Sequence, residues 1–200
     1  FAILDQEKFP RSYLDLSIKD PVKLDIEIDN DFKELAEAFH TQQQENPGLE
    51  HLNFTGVYNS LIRELLSDKK WCIGPRGQMG SQFKVFGKTS QDEFVELYDY
   101  NGLEELDYTI WTKDHILLFE AKAVQTNSGL DMGWHKICYP ASRFKKYTNH
   151  KIIPIYLLKW GNVTHLFVFP IFTFHNSGGI IINDKEKMKP EKIFQIDFTS

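Results

Sequence analysis

The sequence predicts an α/β or α+β chain: helix, a run of short antiparallel strands, a second helical region and strand again, with extra β structure at both ends. Two features of the pattern carry this. Apolar residues recur at helical spacing over residues 32–39 and 57–65, whereas from Lys70 onward short segments of period-two alternation stand between turn residues. Composition agrees, since 200 residues that are 42% hydrophobic, with sixteen Phe, can bury one core and lie far from the disordered class.

Residues 12–30 alternate apolar and polar, with Leu14, Leu16 and Ile18 before Asp20-Pro21 and Leu24, Ile26 and Ile28 after it, and read as two strands joined by a turn. Asp25, Glu27 and Asp29 then fall on a solvated face. Asp31 caps a helix to about Gln44, with Glu34 as its capping-box partner, and Asn46-Pro47-Gly48 ends it. A second helix, from about Asn53 to Ser67, aligns Val57, Tyr58, Leu61, Ile62 and Leu65, with Glu64 beside that stripe. Strands follow at 71–73, 82–86, 93–98, 105–111 and 116–123. The segment Gly74-Pro75-Arg76-Gly77-Gln78-Met79-Gly80 between the first two reads as a mobile loop or plain turn, with Arg76 as its substrate-facing residue. A helical region from about Leu130 to Tyr147 is interrupted or begun at Pro140, which lacks the N–H a continuous helix needs. Strands at 152–160 and 163–174, joined at Gly161-Asn162, form a hairpin, and the tail adds strands at 180–182 and 193–198.

Several function classes lack support. Cys72 and Cys138 form no C-x-x-C, so neither a disulfide framework nor a cysteine zinc site is signalled, and no G-x-S-x-G elbow marks a serine hydrolase. Gly87-Lys88-Thr89 lacks the upstream glycine of a phosphate-binding loop, Gln82 standing in its place. No apolar run approaches the roughly 20 residues of a spanning helix, so a cytoplasmic protein is expected. The chain opens on Phe1, consistent with a fragment or a processed protein, so a missing partner domain belongs among the candidate partners. A net charge of −5 gives no global attraction to nucleic acid, which leaves local clusters to supply it. The best one is Lys136, Arg143, Lys145, Lys146, His150 and Lys151, for which a solvated helix face is the plain alternative.

Chemistry concentrates between Asp107 and Lys122. If the turn centres on Lys113-Asp114, Trp111 pairs with Ile116 and Asp107 with Glu120, because antiparallel partners keep a constant sum of residue numbers. Opposed side chains have Cβ atoms about 4.5–5.5 Å apart, close enough to share one hard cation such as Mg²⁺ or Mn²⁺. Alternation puts Lys122 on the Glu120 face and turns Phe119 and Ala121 into a core. Facing carboxylates repel unless a cation lies between them, and a carboxylate-held metal with an adjacent ammonium suits phosphodiester hydrolysis. Lys122 would either handle the attacking water's proton or stay charged against the transition state.

Asp107, twelve intervening residues and Glu120-Ala121-Lys122 closing an apolar strand resemble the signature of the PD-(D/E)xK, or restriction-endonuclease-like, nuclease superfamily. The resemblance implies a core over 51–160, a central mixed sheet flanked by helices. Residues 1–50 and 161–200 are then extensions of one globular domain. It implies that Asp107 and Glu120 bind the metal, that the Ala121 backbone carbonyl also ligates, and that Lys122 is catalytic. Leu106 stands where the family has Pro. Some members add an acidic residue from the first helix, for which Glu64 is the candidate. His135-Lys136-Ile137-Cys138-Tyr139 partly echoes the Gln-x-x-x-Tyr of RecB-like branches, with His for Gln. If the echo is functional, His135, Lys136, Tyr139 and Arg143 face a phosphate backbone; otherwise Tyr139 is a packed aromatic.

Acid-x-Lys triplets also occur at Asp31-Phe32-Lys33 and Asp68-Lys69-Lys70, but neither ends an apolar strand. The expected function is divalent-metal-dependent phosphodiester hydrolysis, with DNA ahead of RNA as substrate, in restriction, repair or defence. A homodimer is the partner state that double-strand cutting would call for. The alternative is a non-catalytic nucleic-acid-binding or assembly module on the same fold.

Overall fold

The computed structural model describes residues 16, 18–26, 45–66, 70–124, 133, 135–160, 163–172, 174–181 and 189–197. The helix expected from Asp31 to about Gln44 lies outside the described residues, as does part of the alternating stretch at 12–30.

The first described helix, α1 (Glu45–Phe54), starts where the sequence pattern ended one. Pro47 and Gly48 fall in its first turn, where N–H groups have no intrahelical acceptor and proline removes nothing. The second helix expected from Asn53 is broken at Thr55-Gly56. There the Thr55 hydroxyl donates to the His51 carbonyl at 2.9 Å, and Gly56 takes φ 72, a left-handed conformation strained for other residues. The chain then resumes as α2 (Val57–Leu65), which buries Val57, Tyr58, Leu61 and Ile62.

Among the described residues the strands are β1 (Val22–Lys23), β2 (Cys72–Ile73), β3 (Gly77–Lys88), β4 (Phe94–Leu106), β5 (Tyr108–Trp111), β6 (His115–Val124), β7 (Lys151–Trp160), β8 (Val163–Val168), β9 (Ile180–Ile181) and β10 (Lys192–Asp197). They form a seven-stranded mixed sheet in the order β1-β10-β8-β7-β6-β5-β2 and a three-stranded sheet in the order β4-β3-β9. The class is therefore α+β and strand-rich. The segment expected to be a loop at 74–80 is already β3 from Gly77 on, because Gly77 to Lys88 pair with Leu106 to Phe94 along almost their whole length. The Gly87-Lys88-Thr89 triplet closes this long hairpin, and the Thr89 hydroxyl accepts the turn's N–H groups from Gln91 and Glu93.

β5 and β6 form the expected antiparallel hairpin, with Trp111 opposite Ile116 and Tyr108 opposite Phe119. β6 and β7 pair in parallel, which no tight turn can connect, and the helix α3 (His135–Lys145) lies in the crossover. This helix runs unbroken through Pro140, against the expected interruption; Pro140 is buried beside Ile137, Cys138, Ala141 and Phe144, and that packing offsets the missing N–H. β7 and β8 pair outward from Trp160 and Val163, as the hairpin reading requires.

Alternation along β6 divides the interior. Leu117, Phe119 and Ala121 pack toward Leu49, Leu52, Tyr58 and Leu61 of α1 and α2. Ile116 and Leu118 belong to the opposite cluster, with Ile137, Ala141 and Phe144 of α3 and with Phe83 and Val85 of the smaller sheet. Glu120 and Lys122 continue this second face beyond its apolar part.

Candidate active site

β5 begins at Tyr108, and Asp107 sits one residue before the first ladder pair, Tyr108 with Phe119, its side chain hydrogen-bonded to that of Glu120. Odd-numbered residues of β6 direct both N–H and C=O toward β5, as the His115 carbonyl shows by accepting from the Thr112 N–H at 2.9 Å. Because β5 has not yet begun here, the Ala121 N–H is taken by the Asp107 side chain, whose Oδ2 accepts it at 2.8 Å. The Ala121 carbonyl emerges on the same edge, where the strand has left its place.

Burial pushes the Asp107 carboxyl above its ordinary range, the Ala121 N–H pulls it back, Glu105 adds to the rise, and Lys136 and a hydrogen bond with Glu120 oppose it. A hydrogen bond between two carboxyls needs a shared proton, and a cation between them does the same work. Glu120 and Lys122 are both half-buried. Lys136, in the first turn of α3, is exposed and close enough to Asp107 for its charge to act. The structure thus brings Asp107, Glu120 and the Ala121 backbone to one sheet edge, with Lys122 on the Glu120 face and Lys136 nearby. Among the described residues no group of three or more His, Cys, Asp and Glu side chains forms a ready-made metal cage.

Beside Asp107 lies an open cleft of about 380 Å³ lined by Leu49, Glu50, Arg76, Gly77, Glu105, Leu106, Asp107 and Tyr108. The helical carboxylate lining this cleft is Glu50; Glu64 is exposed and is not part of the lining. Sequence reasoning does not reach Glu50, because Pro47-Gly48 reads as a helix end and Glu50 then falls between two helices. Arg76 forms an ion pair with Glu50, and its guanidinium lies 5.7 Å from the centre of the Tyr108 ring.

The basic residues beyond α3's first turn are largely occupied elsewhere. Arg143 donates to the Gly80 carbonyl at 3.1 Å and Lys146 donates to that of Gln82, so both tie α3 to β3. Lys145 lies over the Phe174 ring at 5.6 Å. Tyr139 is a packed aromatic: its ring meets Phe83 and Tyr100 at 5.2 and 4.8 Å, and its hydroxyl bonds that of Tyr98. His135 is exposed with its ring edge against Tyr139.

Glu104 is a second acid that the sequence pattern does not single out. Glu104 is buried in β4 with one oxygen accepting from the Ser81 hydroxyl, and the other has no partner among the described residues. Burial pushes its carboxyl up to about 7, against the Ser81 hydrogen bond and the charges of Arg143 and Lys146. Alternation back from buried Leu106 would have turned Glu104 inward.

Residues 12–187 match the model of a family described as a domain of unknown function, DUF6997. The chain belongs to this family. The DUF6997 match contains Asp107, Glu120, Lys122, Glu50 and Arg76, so the whole constellation lies within it. No curated protein and no solved structure matches this DUF6997 chain. Among its described residues no helix is long and apolar enough to cross a membrane.

Proposed function

We propose that the chain is a divalent-metal-dependent nuclease of the PD-(D/E)xK type that hydrolyses phosphodiester bonds, with DNA as its substrate. The observation that carries the reading is the meeting of Asp107 and Glu120 at the end of the β5–β6 ladder, with Lys122 on the Glu120 face. The succession of α2, the β5–β6 hairpin, α3 and a β7 strand parallel to β6 supports a restriction-endonuclease-like core.

The donor set fits Mg²⁺ or Mn²⁺: two hard carboxylates whose mutual repulsion a cation relieves, plus the Ala121 carbonyl on the same edge. Glu50, which lines the same cleft as Asp107, is the helical acid available to complete it, in place of Glu64. A bound ion would supply Lewis acidity at the phosphate and lower the pKa of water. Asp107 is held in place by the Ala121 N–H, so its carboxylate is oriented before substrate arrives. Lys122, two residues from Glu120 on one face, places an ammonium against the negative charge that grows on the phosphate. Lys136, whose charge acts on Asp107, adds positive charge beside the site.

The test is cleavage of single- and double-stranded DNA and RNA with Mg²⁺, Mn²⁺ or EDTA, comparing wild type with Asp107→Ala and Lys122→Ala. Metal-dependent cutting lost in both variants is the expected result. A well-folded wild type that cuts nothing under any condition would overturn the reading in favour of a non-catalytic nucleic-acid-binding or assembly module.

A further inference from the structure

The Gly74–Gly77 segment is anchored to the strand that begins beside Asp107. Gly74 donates its N–H to the Thr109 carbonyl at 2.9 Å, and the Thr109 hydroxyl donates to the Pro75 carbonyl at 2.8 Å. A Cβ on Gly74 would overlap the Trp111 indole and the Thr109 hydroxyl, so only glycine lets the backbone lie this close. The outcome is a fixed loop that delivers Arg76 to the cleft. There the guanidinium rests over Tyr108 and is neutralised by Glu50, although its side chain keeps 56% of its exposure.

Glu50 faces two cationic demands from one position. It neutralises Arg76, and it lines the same cleft as Asp107. Tyr108 lines the same cleft beneath the guanidinium, with its own hydroxyl buried.

We propose that the Glu50–Arg76 ion pair is a latch coupling cation binding to phosphate binding. Glu50 leaves Arg76 when a divalent ion occupies the Asp107–Glu120 edge, and the freed guanidinium then holds a phosphate of the nucleic acid. The inference rests on the nuclease reading and adds to it a reason why substrate would follow metal. An exposed ion pair suits a latch, because it contributes little stability and is cheaply opened. Arginine suits the released role, since its planar fork matches phosphate oxygens.

The experiment measures binding of a fluorescein-labelled DNA duplex by anisotropy, in EDTA and in Ca²⁺ at matched ionic strength. Wild type is compared with Glu50→Gln, Arg76→Ala and Asp107→Ala, with thermal melts checking that each variant is folded. Wild type should bind about tenfold or more tightly in Ca²⁺, the scale of one charge-assisted contact. Glu50→Gln should bind in EDTA as tightly as wild type does in Ca²⁺, and Arg76→Ala should bind weakly in both. The latch is overturned, with the nuclease reading intact, if the gain is lost in Asp107→Ala while Glu50→Gln and Arg76→Ala behave as wild type. A wild type with no Ca²⁺ gain, matching Asp107→Ala, also overturns the latch, and the nuclease reading then stands or falls on the cleavage assay alone.

Discussion

The Asp107 carboxylate receives the Ala121 N–H at 2.8 Å and meets the Glu120 side chain through a hydrogen bond, one residue before the β5–β6 ladder begins. A backbone donor that would otherwise meet a carbonyl across the ladder meets an acid instead. The hairpin thereby ends in two facing carboxyls at an accessible edge.

Asp107→Asn keeps an oxygen for the Ala121 N–H but removes the charge. Since burial raises the Asp107 carboxyl, its ionised form costs stability above the folded pKa, and that cost vanishes below the unfolded one. The variant should therefore be at least as stable as wild type at pH 7 to 8. Wild type should gain about 2.7 kcal/mol at a hundredfold excess of divalent ion over Kd, and the variant nothing. Thermal melts with and without Mn²⁺ decide it; an equal shift in both proteins would remove Asp107 from the metal site.

Glu104 makes stability fall with rising pH. Its folded carboxyl titrates near 7 against 4.5 for the free group, so folding loses nothing below 4.5 and bears the full penalty above 7. Discounted for partial solvent access, that penalty is on the order of 2 kcal/mol. Glu104→Gln should be more stable than wild type by that amount at pH 8 and indistinguishable from it at pH 4. Urea titrations at the two values test the sign.

Gly74→Ala forces a methyl group into the Trp111 indole and the Thr109 hydroxyl. Overpacking of this kind costs about 1–3 kcal/mol. The same change should displace Arg76 and weaken duplex binding in Ca²⁺. Denaturation and anisotropy on one preparation would separate the two effects, and unchanged stability would mean that the loop is not anchored as described.

Tyr58 and Tyr108 stack at 5.4 Å, yet their hydroxyls differ. That of Tyr58 donates to the Leu49 carbonyl at 2.8 Å, while that of Tyr108 has no partner among the described residues. Tyr58→Phe should lose about 1 kcal/mol, and Tyr108→Phe should lose none. Equal losses in urea titrations would contradict the difference in pairing.

Local pattern carried the β5–β6 hairpin, its register and the division of β6 into two faces, since period and turn position are properties of consecutive residues, but not the break of the expected 105–111 strand at Asp107, where Glu105 and Leu106 belong to β4 of the smaller sheet. Asp107, Glu120 and Lys122 were legible for that reason: one register relation places all three. Docking decided the rest. Pro47-Gly48 opens a helix here because α1 packs Leu49 and Leu52 against β6, and that turns Glu50 toward the cleft. The 74–80 segment became a pinned loop and a long strand through pairing with Thr109 and with β4, a partner up to about thirty residues away. Arg143 and Lys146, basic residues on a helix in sequence, were claimed by the Gly80 and Gln82 carbonyls once the smaller sheet packed on α3. Periodicity is encoded residue by residue, whereas the partner of a charge depends on which distant element arrives beside it, and only the tertiary structure decides that.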